Sequence, residues 1–129
     1  MNNLQESLSE LFKRDLDRLL EEVKAYKNEE NLWIQEGQIA NTGGNLTLHL
    51  CGNLRHFVGA ILGGSSYIRQ RDDEFSLKNI KRSELISQIK ETKKSVLETL
   101  AELPESKLDE IYPVNVFGKE MTTAFFLIH

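Results

Sequence analysis

The chain has 129 residues, of which 40% are hydrophobic and 28% charged, and its formal net charge is −4. A chain of this size folds as one domain with a single core, and the mixed charges exclude the basic surface of a nucleic-acid-binding protein. No apolar run approaches the ~18 residues of a membrane span, and the first residues lack a signal peptide's basic and apolar regions, so we expect a cytoplasmic domain over residues 1–129 without nucleic-acid or membrane partners.

The first predicted element is an amphipathic helix from Leu4 to Tyr26. Apolar residues recur there every three or four positions, while charged residues fill the other face. Asn28-Glu-Glu-Asn31 should end this helix, and the apolar connector Leu32-Trp33-Ile34 should pack on the end of the bundle.

The second predicted helix runs from Leu46 to about Leu62. The turn residues Asn41-Thr-Gly-Gly precede it, Asn45 is its expected N-cap, and Gly63-Gly64 ends it. Its apolar side chains cover so wide an arc that we expect neighbouring elements on several sides. A narrow stripe lies beside that arc and consists of His49, Asn53, His56 and Ala60.

A lone cysteine, Cys51, lies on the apolar side of the second helix. One cysteine excludes an intramolecular disulfide. Because no base is near it in sequence, a small core residue is a better interpretation than a nucleophile.

The rest of the chain predicts a loop, a third helix and the start of a fourth. Residues 65–75 are polar enough for a loop, and Ser83 should cap a helix that continues through Leu103. Residues 104–119 are predicted to form a connector in which residues 111–116 could be extended. A fourth helix should begin near Glu120, and the sequence ends within its pattern. These elements predict an all-α helical bundle, with one long crossover possible between the second and third helices.

The polar stripe has two interpretations. His49 and His56 are two turns, or about 10 Å, apart, so one ion cannot bind both from a straight helix. A metal site would need a ligand from another helix, and the only other histidine is His129. Alternatively, His49 and His56 make ordinary hydrogen bonds to neighbours, and Asn53 links helices in the same way.

Arg69 and Arg71 lie among acidic residues in the predicted loop. Most simply, this segment is solvated. The alternative is that Arg69 or Arg71 folds back over the mouth of a cavity and pairs with a carboxylate or an anionic substrate.

Several blocks along the whole chain resemble the DinB/YfiT-like superfamily, and most of all its small uncharacterised bacterial proteins. The blocks are Phe12-Lys-Arg-Asp-Leu, Leu32-Trp33, Asn45-Leu-Thr-Leu-His-Leu-Cys-Gly-Asn-Leu-Arg-His-Phe-Val-Gly, Gly63-Gly64, Tyr67-Ile-Arg-Gln-Arg-Asp-Asp-Glu-Phe and Phe126-Leu-Ile-His129. The resemblance implies an up-down-down-up four-helix bundle, usually dimeric. It also implies a divalent metal such as nickel or zinc, bound by one histidine of the second helix and two of the fourth.

Carried over to this chain, the resemblance places the second-helix ligand at His49, with His129 as the first fourth-helix histidine. Asn53 and His56 would line the same pocket. The second and third fourth-helix histidines of the family pattern have no counterpart, so the fourth helix is expected to be truncated and the three-histidine site incomplete. The missing half-helix would expose an apolar groove, from which we expect a homodimer, tighter than is usual in the family or rearranged, or else a chain that has been cut short.

Two functions follow as hypotheses. The first is a metal-dependent hydrolase or thiol-dependent transferase, or a remnant of one, acting on a small molecule that the sequence does not identify. The second is a non-catalytic, dimerising helical module that binds no metal.

Overall fold

The computed structural model describes residues 3–35 and 41–128, and this part of the chain is mostly helical. Its α-helices are α1 (Asn3–Ala25), α2 (Gly43–Leu54), α3 (Arg71–Ser76), α4 (Arg82–Glu102) and α5 (Thr123–Ile128). A π-helical segment, Arg55–Ala60, continues α2, and short 3₁₀ turns lie at Glu29–Trp33 and Glu105–Asp109. Within the described ranges the β pairing is limited to an isolated antiparallel bridge between Ile111 and Thr122. The all-α prediction is therefore confirmed.

The three long helices α1, α2 and α4 share two apolar core clusters. The first joins Leu8 of α1 to Val58 after α2 and Leu100 of α4. The second joins Val23 of α1 to Leu48 of α2 and Leu85 of α4. Because the beginning of α1 meets the ends of the other two helices, α2 and α4 both run antiparallel to α1.

The short helix α5 packs on the first core cluster through Ala124 and Leu127. It includes only six described residues. The complete up-down-down-up four-helix bundle therefore stays a prediction.

The helix starts differ from the predicted ones by a few residues. Thr42, and not Asn45, is the N-cap of α2, because the Thr42 hydroxyl accepts the Asn45 N–H at 3.0 Å. Helix α4 begins at Arg82 after Lys81, which makes no side-chain cap hydrogen bond, so the prediction of Ser83 as cap was wrong. Apolar periodicity does not locate a helix start, because the start depends on which groups satisfy the free backbone N–H groups of the first turn.

The predicted loop over residues 65–75 contains the helix α3, so that prediction was wrong from Arg71 onward. Three acidic residues, Asp72, Asp73 and Glu74, occupy its first turn. Negative charge at a helix N-terminus is stabilising, which accounts for a helix in a segment without apolar periodicity. Helix α3 packs on α2.

Neighbouring elements cover some of the apolar side chains of α2 but leave others exposed to solvent. Cys51 is buried in the second core cluster, and its burial raises the pKa of the thiol, as expected for a core residue. Leu46 and Leu50, however, are 42% and 44% exposed. Neighbours lie on several sides of α2, as expected, because α1, α3 and α4 all contact it, but the face with Leu46 and Leu50 is left open within the described residues. No helix in residues 3–35 or 41–128 is both long and apolar enough to cross a membrane.

Candidate functional site

The residues with the most organised polar contacts are His49 of α2, Glu74 of α3 and Arg69, which precedes α3. The Nδ1 atom of His49 lies 3.1 Å from Oε1 of Glu74. Arg69 donates from Nε to Oε2 of Glu74 at 2.8 Å and from Nη2 to Oε1 at 2.9 Å. The guanidinium therefore holds the carboxylate with two parallel hydrogen bonds, a geometry that fixes orientation as well as distance.

The three side chains of this cluster differ in their exposure to solvent. The side chain of Glu74 is 6% exposed and that of Arg69 is 12% exposed, whereas that of His49 is 30% exposed. A buried carboxylate is costly unless it is paired and hydrogen-bonded, and Glu74 is both. The imidazole thus rests on a buried ion pair and keeps access to solvent.

Gly52 provides the space for the carboxylate of Glu74. It lies three residues after His49 on α2, and a Cβ atom added there would be 1.9 Å from Oε2 of Glu74 and 2.7 Å from its Cδ. Contacts that short are impossible, so a larger residue would displace Glu74. The absence of a side chain at position 52 lets the carboxylate lie directly against the helix.

Asn45 ties α3 to the beginning of α2. Its side-chain amide donates to the carbonyl of Glu74 at 3.0 Å and to the carbonyl of Leu77 at 2.9 Å, while its Oδ1 accepts from the Thr42 hydroxyl at 2.7 Å. Asn45 is buried. The backbone that carries Glu74 is therefore fixed to the helix that carries His49.

Aromatic rings and a small cleft surround the cluster. The ring of Phe75 lies 5.1 Å from the imidazole of His49, and Arg55 stacks over the ring of Tyr67 at 4.3 Å. Burial raises the pKa of Tyr67. A cleft of about 140 Å³ adjoins Glu74 and is lined by Leu48, Tyr67, Gln70, Asp73, Glu74, Leu77 and Gln88.

Of the predicted site residues that the structure describes, neither His56 nor Asn53 hydrogen-bonds to this cluster. His56 packs edge-on against Phe57, with ring centroids 4.7 Å apart, in the π-helical segment. Asn53 is partly buried. His129 lies outside the described residues, so the structure leaves the proposed pairing of His49 with His129 untested.

Sequence reasoning found His49 and missed its two supports, Glu74 and Gly52. The alternative in which Arg69 pairs with a carboxylate is confirmed, and that carboxylate belongs to Glu74. The sequence carries no spacing signal for Glu74. It is 5 residues from Arg69, which is not a pairing interval of a helix, and 25 residues from His49.

Within this cluster, His49 is the side chain that is suited to bind a metal ion. An imidazole with one nitrogen engaged by a carboxylate is a common arrangement for histidines that bind metals through the other nitrogen. Both oxygens of Glu74 are already hydrogen-bonded, which makes Glu74 a support for His49 and a poor ligand in this conformation. Among residues 3–35 and 41–128, no three His, Cys, Asp or Glu side chains are grouped to hold an ion.

Comparison with known proteins gives a family match. The family model described as "Protein of unknown function (DUF1572)" matches residues 2–123. No curated protein and no solved structure matches the chain. Since the match covers nearly the whole sequence, the chain belongs to the DUF1572 family, which is part of the DinB/YfiT-like clan.

Proposed function

We propose that this protein binds a divalent metal, nickel or zinc, through His49 and acts as a hydrolase or thiol-dependent transferase. The observation that carries the proposal is the hydrogen-bonding distance between Nδ1 of His49 and the buried Glu74 carboxylate. This contact leaves Nε2 of a partly exposed imidazole as the nitrogen for a ligand.

The clan membership supports the same assignment, because the resemblance described above places a metal ligand at His49. Neutral imidazole is a preferred ligand of both zinc and nickel. His129 is the proposed second protein ligand. When bound, the metal would polarise a water molecule or a thiol, which is the chemistry shared by the two proposed reaction classes.

The chain's own residues have separate tasks in this proposal. His49 provides the donor nitrogen, Glu74 orients the imidazole, and Arg69 holds Glu74 in position. The ring of Phe75 packs against the imidazole of His49.

Elemental analysis of protein purified without an affinity tag tests the proposal. After incubation with nickel or zinc and removal of excess ion, we expect one equivalent of metal in the wild type and none in His49→Ala. His56→Ala is the matched control, because it removes a histidine from the same helix two turns away, and it should retain the metal.

Circular dichroism should show that both variants are folded. The proposal fails if the folded wild type takes up no metal, or if His49→Ala retains as much metal as the wild type.

A second candidate function is a non-catalytic module that forms a homodimer. Leu46 and Leu50 favour it, because two large apolar side chains one turn apart on α2 are exposed beside His49. Such exposed apolar patches commonly mark association surfaces. Light scattering of the wild type and of Leu46→Gln/Leu50→Gln tests this function: a dimer that the double variant converts to a monomer supports it, and a monomeric wild type contradicts it.

A further inference from the structure

We propose that Glu74 is a positioning residue that fixes the tautomer of His49, keeping the proton on Nδ1 and the lone pair on Nε2. The consequence for metal binding rests on the function proposed above, whereas the tautomer itself does not.

Each of the two neighbours of Nδ1 can play only one role in a hydrogen bond. The Glu74 carboxylate can only accept, and the Arg69 guanidinium can only donate. Oε1 of Glu74 is 3.1 Å from Nδ1, and Nη2 of Arg69 is 3.4 Å from it. The two neighbours therefore favour opposite tautomers of a neutral imidazole.

Distance and competition decide between these neighbours. Nη2 of Arg69 already donates to Oε1 of Glu74 at 2.9 Å, so its contact with Nδ1 is the longer and secondary one. If Nδ1 carried a lone pair, that lone pair would face the negative oxygen of Glu74 at 3.1 Å, which is repulsive. A proton on Nδ1 converts the same contact into a charge-assisted hydrogen bond.

The carboxylate cannot move away easily. Arg69 holds both of its oxygens, Gly52 leaves a space that it fills, and Asn45 binds the carbonyl of the same residue. A partner held at this many points selects one tautomer instead of adapting to either. Glu74 thereby decides which nitrogen of His49 is offered to a ligand.

Histidine side-chain nitrogen NMR measures the tautomer directly. The spectra are recorded on metal-free protein in the presence of a chelator, at alkaline pH where imidazoles are neutral. His49→Ala and His56→Ala identify the signals. We expect the wild type to carry the His49 proton predominantly on Nδ1.

Two variants test whether Glu74 determines the tautomer of His49. In Glu74→Ala the remaining neighbour of Nδ1 is the donor Arg69, so the tautomer should invert and place the proton on Nε2. In Glu74→Met/Arg69→Met, which removes the buried pair together and avoids an unpaired charge, the Nδ1–H form should lose its predominance. The tautomer of His56, whose ring lies against Phe57, should stay unchanged in both.

The proposal is overturned if wild-type His49 carries its proton on Nε2, or if the Nδ1–H form persists in the folded variants. Its failure is distinct from that of the metal proposal. Wild type with Nδ1–H and no metal uptake would refute metal binding alone. Metal uptake by a wild type in the Nε2–H form would refute the role of Glu74 alone.

Discussion

The two histidines of the second helix lie in contrasting surroundings, although both belong to one narrow stripe. His49 contacts a buried carboxylate that Arg69 holds by two hydrogen bonds. His56 contacts an aromatic ring, in a segment where the helix widens into π-type turns. Position on the stripe therefore does not determine the chemistry of a histidine, because the partner of His49 comes from a different part of the chain whereas the partner of His56 is its neighbour in sequence.

The two ends of α2 are also stabilised by different means. At the His49 end, polar contacts from Asn45, Glu74 and Arg69 attach α3 to the helix. Beyond the other end, in the π-helical segment that continues α2, the carbonyl of Phe57 accepts the hydroxyl of Tyr112, which also stacks on Phe126 with ring centroids 3.8 Å apart. The polar end should be sensitive to loss of single hydrogen-bonding groups, and the aromatic end to loss of packing.

The largest expected effect is that of Glu74→Ala. It leaves the mostly buried Arg69 without its partner, and breaking one side of a buried ion pair costs about 3–5 kcal/mol of unfolding free energy. Glu74→Met/Arg69→Met should cost much less, because no unpaired charge remains. Urea denaturation measures both, and equal losses in the single and double variants would contradict this account.

Gly52→Ala should destabilise the wild type by about 2 kcal/mol, because its Cβ would overlap the Glu74 carboxylate. Combined with Glu74→Ala, the same change should become neutral or stabilising by up to about 1 kcal/mol, since alanine favours helix more than glycine does. A double-mutant cycle in urea gives this coupling. If Gly52→Ala has the same effect in both backgrounds, the glycine is not needed to make space for the Glu74 carboxylate.

Asn45→Ala should cost about 2 kcal/mol, because it leaves the carbonyls of Glu74 and Leu77 without their donor. Asn53→Ala is the matched control on the same helix, and it should change stability by less than about 0.5 kcal/mol. Urea denaturation compares them. Similar losses in the two variants would mean that Asn45 does not have the special role assigned to it.

The long helices could be predicted from the sequence because a helix that packs on a core has apolar residues every three or four positions. The apolar spacing of α1 and α4 predicted both helices to within a few residues, and the burial of Cys51 followed from its face on α2. Helix α3 was missed because it has only six residues and is held by polar contacts with α2. Such contacts produce no periodicity.

The candidate site was predictable only in part for the same reason. His49 stood out as a polar residue on an apolar helix, which is a local property. Its pairing with Glu74 depends on how the segment after α2 folds back, and on the space that Gly52 leaves. Spacing predicts neither of these, because a glycine inside a helical pattern can equally mark the end of the helix or the close approach of a neighbour.

At the aromatic end of α2, Tyr112→Phe should lower the free energy of unfolding by about 1 kcal/mol at neutral pH, because it removes the hydrogen bond to Phe57.

The same substitution should also change how the stability of the protein depends on pH in the alkaline range. Burial raises the pKa of Tyr112 in the folded protein, so above about pH 10 the unfolded chain releases this proton before the folded one does. The stabilisation from Tyr112 is therefore complete below that pH and is lost as the pH rises further. Urea denaturation at about pH 8 and about pH 11 should show a smaller alkaline loss for Tyr112→Phe than for the wild type. Equal losses would show that the Tyr112 hydroxyl is not buried against α2, and the contrast between a polar and an aromatic end of this helix would fail.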